Sequence, residues 1–265
     1  MSTQSATRTA VVTGSTSGIG LGIAHKLASE GCNVVLNSFT DSDDDHALAG
    51  ELAKEHGAKV VYVKADMSKG DECRALVEKA AEEFGTVDIL VNNAGVQHVA
   101  PVEEFPAAKW DAIIAINLSS SFHTIAAAVP LMKKAGWGRI VNIASAHGLR
   151  ASPYKAAYVS AKHGILGLTK TVALEFAEAR VAATVNAICP GYVHTPLVDA
   201  QIADQMKAHK MGRQEVIEKV ILDRQPTREF ATVEQIGGIV SFLCSPAADQ
   251  ITGTSISVDG GWTAM

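Results

Sequence analysis

A short apolar strand near the start of the chain runs directly into a turn that contains three glycines. The strand Ala10-Val11-Val12 is followed by Thr13 and then by Gly14-Ser-Thr-Ser-Gly18-Ile-Gly20. A helical pattern begins at once and continues over residues 19–29. Strand, glycine turn and helix in immediate succession predict the first βα unit of a parallel sheet, since glycines permit a tight turn and close packing of the helix on the sheet.

The same arrangement is typical of dinucleotide binding. The backbone of the turn lets a pyrophosphate approach closely, and the helix N-terminus then faces the anion. The spacing here is G-x-x-x-G-x-G rather than G-x-G-x-x-G. Glycines also serve tight turns for structural reasons alone, so both interpretations stay open at this point.

Apolar strands and helical segments alternate along the whole chain. Strands are predicted at residues 10–12, 33–36, 60–63, 88–91, 138–143, 183–188 and 255–258. Helices are predicted at residues 19–29, 44–55, 71–84, 106–134, 156–179 and 232–243. This order predicts an α/β fold, a Rossmann-type doubly wound parallel sheet of about seven strands with helices on both faces. We expect one domain over residues 1–265, with a helical substrate lid at about 195–228 where the helical pattern is broken.

Composition excludes several classes of protein. The net charge of −5 over 265 residues offers no basic field, so we expect no nucleic-acid partner. No uninterrupted apolar run reaches the roughly 20 residues of a membrane span, so we expect no membrane partner. The four cysteines are far apart and the nine histidines are scattered, which predicts no metal site. With a polar start at residues 1–7 and no signal core, we expect a cytoplasmic protein.

The stretch after the second strand bears on the choice of cofactor. No Lys or Arg occupies residues 37–45, whereas Asp41 and Asp43-Asp44-Asp45 would repel a 2′-phosphate. This favours NAD over NADP, with Phe39 and backbone atoms contacting the adenosine ribose. The aspartates also suit the first turn of a helix, where they oppose the helix dipole, and we expect this to be their main role.

Three polar residues have two interpretations each. Asp66 either contacts the adenine amino group or caps the next helix. Asn93 either bridges strands or lines the cofactor site. Asn117 lies inside the apolar helical stretch Ile-Ile-Ala-Ile-Asn-Leu and must find partners. It either bonds locally and bends the helix, or holds a water near the active site.

Tyr158 and Lys162 are four residues apart in a predicted helix and therefore share one face. A fixed ammonium beside a phenol favours the phenolate and lowers the tyrosine pKa. Such a tyrosine can take a proton from an alcohol near neutral pH or return it to a ketone. Ser145 follows the strand at residues 138–143, where its hydroxyl can reach the same oxygen. By itself, the Tyr-x-x-x-Lys pair is also compatible with chance.

In this order the motifs resemble those of the short-chain dehydrogenase/reductase family over essentially the full length. They are Thr13-Gly14-x3-Gly18-Ile19-Gly20, Asn92-Asn93-Ala94-Gly95, Asn117, Ser145, Tyr158-x3-Lys162 and Pro190-Gly191. The resemblance implies a Rossmann fold, a nicotinamide cofactor and a homotetramer in which the helices around 107–134 and 156–179 form one interface. It implies Tyr158 as acid/base, Lys162 as the cation that also binds the nicotinamide ribose, Ser145 as the polarising hydroxyl and Asn117 in a water-linked proton relay.

The resemblance also implies a full set of cofactor contacts. They are Thr13, Gly14, Thr16, Ser17, Gly18, Ile19, Gly20, Phe39, Asp66, Met67, Asn93, Ala94, Gly95, Tyr158, Lys162, Pro190, Gly191, Val193 and Thr195.

Within the family, the chain is similar to bacterial members that interconvert (R)-3-hydroxybutyrate and acetoacetate. The stretches that carry this are Leu36-Asn-Ser-Phe39, Gly95-Val-Gln97-His98-Val, Ser145-Ala-His147-Gly-Leu, Ser152-Pro-Tyr-Lys155, Thr195-Pro-Leu-Val198 with Gln201, and Gly261-Trp262. The similarity implies that the substrate contacts Ser145 and Tyr158, that its carboxylate is held by Gln97, His147, Lys155 and Gln201, and that Trp262 closes the pocket.

The chain departs from that subgroup at two places. Tyr192 stands where a tryptophan is expected, and the segment before the sixth strand lacks its expected glycine. Two rival functions remain, a 3-oxoacyl-[acyl-carrier-protein] reductase using NADPH and a non-catalytic NAD-sensing protein. The missing 2′-phosphate cation opposes the first, and the intact set of Asn117, Ser145, Tyr158 and Lys162 opposes the second.

Overall fold

A seven-stranded parallel sheet forms the centre of the computed structural model, which describes residues 7–265; the polar stretch 1–6 lies outside the described residues. Its strands are β1 (Thr9–Val12), β2 (Asn33–Ser38), β3 (Val60–Lys64), β4 (Ile89–Asn92), β5 (Trp137–Ile143), β6 (Ala182–Pro190) and β7 (Ser255–Val258). They pair in the order β3-β2-β1-β4-β5-β6-β7, and every pairing is parallel. The predicted doubly wound sheet is confirmed.

Both faces of the sheet are buried, as expected for a parallel sheet covered by helices. Side chains alternate along each strand, so Ala10 and Val12 enter one core cluster while Val11 enters the other. In the same way Leu36 of β2 and Val35 of β2 belong to opposite clusters. This two-sided burial explains why the strands are continuous apolar runs in the sequence.

The two faces are covered by different helices. α1 (Gly18–Ser29), α2 (Asp43–His56) and α9 (Val233–Cys244) contribute to one cluster. α3 (Gly70–Phe84), α5 (Ser120–Ala135) and α6 (Ala156–Glu178) contribute to the other. The remaining helices are α4 (Ala107–Ile114), α7 (Pro196–His209) and α8 (Arg213–Val216).

The helical stretch predicted at 106–134 consists of α4, a π-helical turn at Ala115–Ser119 and α5. By length and hydropathy alone, Ala107–Ala135 could cross a membrane. In the fold it packs against α3, β5 and α6, and Thr124 donates a 2.6 Å hydrogen bond to Asn92 Oδ1 at the end of β4. These contacts are those of an internal helix of the domain.

The region predicted as a broken helical pattern is more regular than the sequence indicated. It holds α7, α8 and a π-helical turn at Ile217–Ile221. An apolar cluster of its own includes Val198, Ile202 and Val216. α7 buries only a few of its side chains and α8 is four residues long. Apolar residues therefore recur only weakly at helical spacing in this region, and the sequence pattern is interrupted.

Candidate active site

The strand order collects the sequence motifs at one edge of the sheet. The carboxyl ends of β1, β4, β5 and β6 are neighbours. They lead respectively into the glycine turn, the Asn92–Gly95 stretch, Ser145 and Gly191. The strand order reverses direction beside β1 and β4, which is the point where ligands bind in open α/β sheets.

Gly20 cannot carry a side chain in this fold. A Cβ atom there would lie 2.4 Å from the Gly14 carbonyl oxygen and 2.5 Å from Asn93 Nδ2. Asn93 Nδ2 donates 2.9 Å hydrogen bonds to the carbonyls of Thr13 and Gly14. Of the two roles open for Asn93, the structure therefore shows the bridge between strand ends.

Thr13 completes the same bridge from the other side. Its Oγ1 accepts hydrogen bonds from the backbone N–H groups of Asn93 at 2.9 Å and Ala94 at 3.0 Å. The side chain is buried. Thr13 therefore positions the loop after β4 against the glycine turn.

The start of α1 is suited to an anion. Its N-cap residue Ser17 makes no side-chain cap hydrogen bond, and no acidic residue occupies the first turn. The first N–H groups of the helix and the positive end of its dipole are therefore available. Gly18, with φ of 55°, would bring a Cβ within 3.4 Å of Thr195 Cγ2. The turn and Thr195 thus flank one narrow space, which fits the pyrophosphate of a dinucleotide.

The stretch after β2 is fixed by a buried amide. Asn37 Oδ1 accepts from the Gly14 N–H at 3.1 Å, while its Nδ2 donates to the carbonyls of Val63 and Ala65. Phe39 lies just beyond and is 71% exposed. The expected main role of the aspartates is confirmed, since Asp43, Asp44 and Asp45 lie in the first turn of α2, and Ser42 caps this helix and forms a capping box with Asp45.

Asp66 and Met67 lie at the end of β3. Asp66 Oδ1 accepts from the N–H and hydroxyl of Ser68, and these bonds lower the pKa of the Asp66 carboxyl. The residue therefore closes a turn before α3, whose N-cap is Lys69. The Met67 side chain is buried in the core, as is that of Val193, so each would meet a cofactor only through its main chain.

Asn117 lies in the π-helical turn and bonds to a distant loop. Its Oδ1 accepts from the Val96 N–H and its Nδ2 donates to the Val96 carbonyl, each at 2.9 Å. Neither of the two roles predicted for Asn117, a local bond that bends the helix or a held water, includes this contact, because the partner is 21 residues away along the chain. The π turn and this paired amide hold the Asn92–Gly95 stretch beside Lys162, as a Cβ on Gly95 would be 3.7 Å from Lys162 Nζ.

Lys162 and Tyr158 share a face of α6 as predicted. Lys162 Nζ donates a 2.7 Å hydrogen bond to the Ile143 carbonyl and lies 5.7 Å from the centre of the Tyr158 ring. Burial lowers the pKa of Lys162 to about 8. Burial also raises the pKa of Tyr158, and the Ser145 hydroxyl opposes that shift.

The expected lowering of the Tyr158 pKa is therefore wrong, because the net shift is upward. Removing the phenol from water disfavours the phenolate more than the neighbouring Lys162 ammonium and Ser145 hydroxyl favour it.

His147 lies beside the reacting groups and is buried. Its Nδ1 is 3.5 Å from Ser145 Oγ, and its Nε2 is 3.0 Å from Ser152 Oγ. The His147 ring also makes edge contacts with Tyr158 and with Trp262, at centroid distances of 5.8 and 5.0 Å. Burial first, and then the cations Lys155 and Arg224, lower the pKa of His147 to about 3, so the imidazole is neutral.

Trp262 and Tyr192 close this side of the site. The two rings are stacked, with centroids 6.0 Å apart and an interplanar angle of 6°. Trp262 is buried, and the turn that holds it is fixed by Asp259, which accepts hydrogen bonds from Gly261 and Thr263. Tyr192 therefore supplies an aromatic wall at the position where tryptophan was expected.

The other predicted carboxylate contacts are less constrained. Lys155 is the N-cap residue of α6, and burial followed by the charge of Arg224 lowers its pKa. Gln97 and Gln201 make no side-chain hydrogen bond to the residues that the structure describes. Their joint role with Lys155 stays a prediction.

Sequence reasoning missed two members of the site, Ser152 and Arg224. Arg224 Nη1 donates a 3.0 Å hydrogen bond to Ser152 Oγ, which links the segment after α8 to His147. Ser152 was visible only as part of a motif, and Arg224 lies 72 residues away in a polar segment. No local spacing could have joined them.

A further group lies away from this site. His25 Nδ1 and His56 Nε2 are 3.1 Å apart, with Glu55 near both, and together they could hold a metal ion. The sequence analysis predicted no metal site, and spacing along the chain could not identify this cluster because its members come from α1 and α2. The hydrogen bond between the two imidazoles accounts for their approach.

Comparisons with known proteins agree with this geometry. Residues 14–263 match the family model described as Enoyl-(Acyl carrier protein) reductase. The chain is 57% identical to a D-beta-hydroxybutyrate dehydrogenase of Rhizobium meliloti, covering 98% of this chain and 100% of that protein. It is 50% identical to one of Cupriavidus necator, covering 97% and 98%. The crystal structure of levodione reductase matches with a TM-score of 0.88 and 31% identity over 97% of this chain and 98% of that one. The sheet order, the motifs at its carboxyl edge and these relatives together show that the chain belongs to the short-chain dehydrogenase/reductase family of oxidoreductases.

Proposed function

We propose that the protein is an NAD-dependent oxidoreductase that interconverts (R)-3-hydroxybutyrate and acetoacetate. The observation that carries this proposal is the juxtaposition of two groups of side chains. Ser145, Tyr158 and Lys162 can act on an alcohol or ketone, and His147 lies directly beside them. Lys155 is the N-cap residue of the helix that carries Tyr158, and it is close enough for its charge to lower the pKa of His147. The names of the two bacterial relatives support the same substrate.

The chain's own residues handle the proton. Tyr158 removes the proton from the C3 hydroxyl, and Ser145 donates a hydrogen bond to the oxygen on which charge develops. A nicotinamide cofactor held by the glycine turn and Lys162 would supply the acceptor for the hydride that leaves C3. The products are the ketone and protonated Tyr158, which returns its proton to solvent. In the reverse direction the same phenol protonates the ketone oxygen.

Lys162 and Asn117 support the phenol. The ammonium of Lys162 lies 5.7 Å from the centre of the Tyr158 ring, where its charge favours the phenolate and opposes the effect of burial. Asn117 fixes the Val96 peptide and the loop around Gly95, close to Lys162 Nζ. We place the water-linked proton relay at this end of the site.

The cofactor would be held mainly by main-chain groups of the glycine turn and the N-terminus of α1. The predicted contacts at Thr16, Ser17, Ile19, Ala94 and Pro190 lie along the same carboxyl edge as these groups. Lys162 would contact the nicotinamide ribose. The absence of Lys and Arg from residues 37–45 supports NAD, because a 2′-phosphate there would lack a cation.

Three further predictions belong to this proposal. The segment at 195–228 is a substrate lid of a single domain. The protein is cytoplasmic, without a nucleic-acid or membrane partner. It is a homotetramer that buries Trp110 and Phe122 on α4 and α5 and Leu174 on α6, which are 39%, 50% and 71% exposed in the single chain. The mass in solution, measured by light scattering, tests the assembly.

Initial rates with NAD test the function directly. The substrates are (R)-3-hydroxybutyrate, its (S) enantiomer and the methyl ester of the (R) form, with NADP replacing NAD in a second series. Turnover confined to the (R) acid with NAD supports both the cofactor and the carboxylate pocket. Equal or better turnover of the ester would remove the carboxylate role and direct the search to neutral ketones or acyl thioesters.

A further inference from the structure

Arg224 lies in the connection between the π-helical turn Ile217–Ile221 and α9. It donates to the Ser152 hydroxyl, which in turn contacts His147 Nε2. The chain of contacts thus runs from Arg224 to a ring that is 5.8 Å from Tyr158. Arg224 is therefore two hydrogen bonds from the centre of the proposed substrate site.

The main chain that carries Arg224 is well anchored. The next residue, Gln225, is 1% exposed, and its Oε1 accepts a 3.0 Å hydrogen bond from the Tyr192 N–H. Thr227 donates from its backbone to the Gly260 carbonyl at 3.1 Å. These bonds tie the segment to the end of β6 and to the turn that carries Trp262.

Among the residues that the structure describes, the charge of Arg224 has no carboxylate partner. Within residues 7–265, no Asp or Glu oxygen lies within 4.0 Å of Arg224 or Lys155. Two other arginines near this segment do have such partners, Arg213 with Asp199 and Arg228 with Asp223. Arg224 and Lys155 instead repel one another, which contributes to the lowered pKa of Lys155.

Two unneutralised cations beside a neutral histidine form a site for an anion. A guanidinium suits a carboxylate because it offers several N–H groups in one plane. Only one nitrogen of Arg224 is engaged, by the neutral Ser152 hydroxyl, among the described residues. Among the described residues, Nε and Nη2 make no hydrogen bond and are available to a ligand.

We infer that Arg224 is a specificity-determining residue, which places a second positive charge beside Lys155 against the carboxylate of the substrate. This inference rests on the proposed function. It adds a contact to those expected from Gln97, His147, Lys155 and Gln201. It also gives the connection before α9 a direct part in selecting acids over neutral ketones.

The test is the steady-state kinetics of Arg224→Gln with (R)-3-hydroxybutyrate and with its methyl ester, at saturating NAD. A lost hydrogen bond to a charged group costs ~1.5–3 kcal/mol, so KM for the acid should rise roughly 10- to 100-fold. The KM for the ester and the Kd for NAD should stay within about twofold. Butyrate, which lacks the reacting hydroxyl, serves as an inhibitor. Its inhibition constant should rise by the same factor as the KM for the acid.

Two variants serve as controls, and a third is a substitute for the test variant. Arg224→Lys keeps the charge and should restore part of the affinity for the acid. Arg180→Gln makes the same change of net charge at an exposed position at the end of α6 and should have no effect. Arg224→Met removes the charge but keeps the aliphatic stem, and it replaces the Gln variant if that protein has a lowered melting temperature.

An unchanged KM for the acid in folded Arg224→Gln overturns the inference, as does an equal rise for acid and ester. A fall in kcat with KM unchanged also overturns it, since that pattern belongs to a residue that only positions His147. If the wild-type protein turns over the ester but not the acid, the proposed function itself fails. The wild-type result therefore separates the two failures.

Discussion

The two halves of the candidate site are built in different ways. The cofactor half consists of main-chain turns at the ends of β1 and β4, held by short bonds among Thr13, Gly14 and Asn93. The substrate half consists of side chains from well-separated segments, such as His147, Arg224 and Trp262. A turn that exposes backbone N–H groups suits any dinucleotide, whereas side chains collected from distant segments are suited to select one substrate. The first half therefore defines the family and the second half defines the member.

The largest effect is expected between the halves, at Tyr158. Tyr158→Phe keeps the ring and its packing against His147 but removes the proton acceptor. Because general acid–base catalysis contributes roughly 10²- to 10⁴-fold, kcat should fall by about that factor while the Kd for NAD is unchanged. Stopped-flow rates and fluorescence titration of the cofactor measure the two quantities.

A matched control for this variant lies four residues upstream. Tyr154 is 58% exposed, and Tyr154→Phe should leave kcat unchanged. Retained turnover in Tyr158→Phe would assign the proton to another group. The rate of oxidation should also rise with pH above neutrality in the wild type, because Tyr158, whose pKa burial raises, must accept the proton.

Lys155 tests the substrate half alone. Lys155→Gln removes a cation at the start of α6, and a charged hydrogen bond lost there costs ~1.5–3 kcal/mol. KM for the hydroxy acid should rise roughly 10- to 100-fold, while KM for its methyl ester stays unchanged. Parallel increases for both compounds would mean that Lys155 supports the pocket without binding the carboxylate.

These two halves also differ in what the sequence could predict. The glycine turn, the seven strand segments and the Tyr158–Lys162 pair are local patterns, and the structure contains them within a few residues of the predicted places. The contact of Asn117 with Val96 and that of Arg224 with Ser152 join segments 21 and 72 residues apart. Such pairs leave no periodic signal, so only the folded chain reveals them.

The pKa of Tyr158 shows a second limit. The sequence spacing correctly predicted that Lys162 and Tyr158 share one helix face. The direction of the Tyr158 pKa shift, however, is set by burial. Burial raises the pKa of the phenol and lowers that of the ammonium to about 8, and no sequence pattern reports how much water reaches either group. Spacing predicts which residues are neighbours, whereas a pKa shift also depends on how far the surrounding protein excludes water.

Gly20 tests the cofactor half. In Gly20→Ala the new methyl would lie 2.4 Å from the Gly14 carbonyl, so the turn must shift. Overpacking of this kind costs ~1–3 kcal/mol, and we expect a lower melting temperature together with weaker NAD binding. Gly50→Ala is the control, because a Cβ at Gly50 in α2 meets nothing within 4 Å and should stabilise the protein by about 0.5–1 kcal/mol. Equal behaviour of the two variants would contradict the close packing at Gly20.

The smallest effect concerns the pH dependence of stability that His147 brings to the substrate half. Its pKa of about 3 lies below the ordinary value of 6.5, so between these values the unfolded chain binds more protons than the folded one. Above pH 6.5 the imidazole is neutral in both states and its titration contributes nothing. As the pH drops from about 6.5 toward 3, protonation favours the unfolded chain and stability falls. In His147→Gln this component is absent, whereas the losses from Asp45 and Asp66, whose pKa values are lowered, remain in both proteins. Urea unfolding at several pH values should thus give a shallower decline for the variant between pH 6.5 and 4.5. Identical slopes would mean that His147 takes up its proton as readily in the folded protein as in the unfolded chain. The ring would then carry positive charge beside Lys155 and Arg224 at mildly acidic pH, contrary to the neutral imidazole inferred for the site.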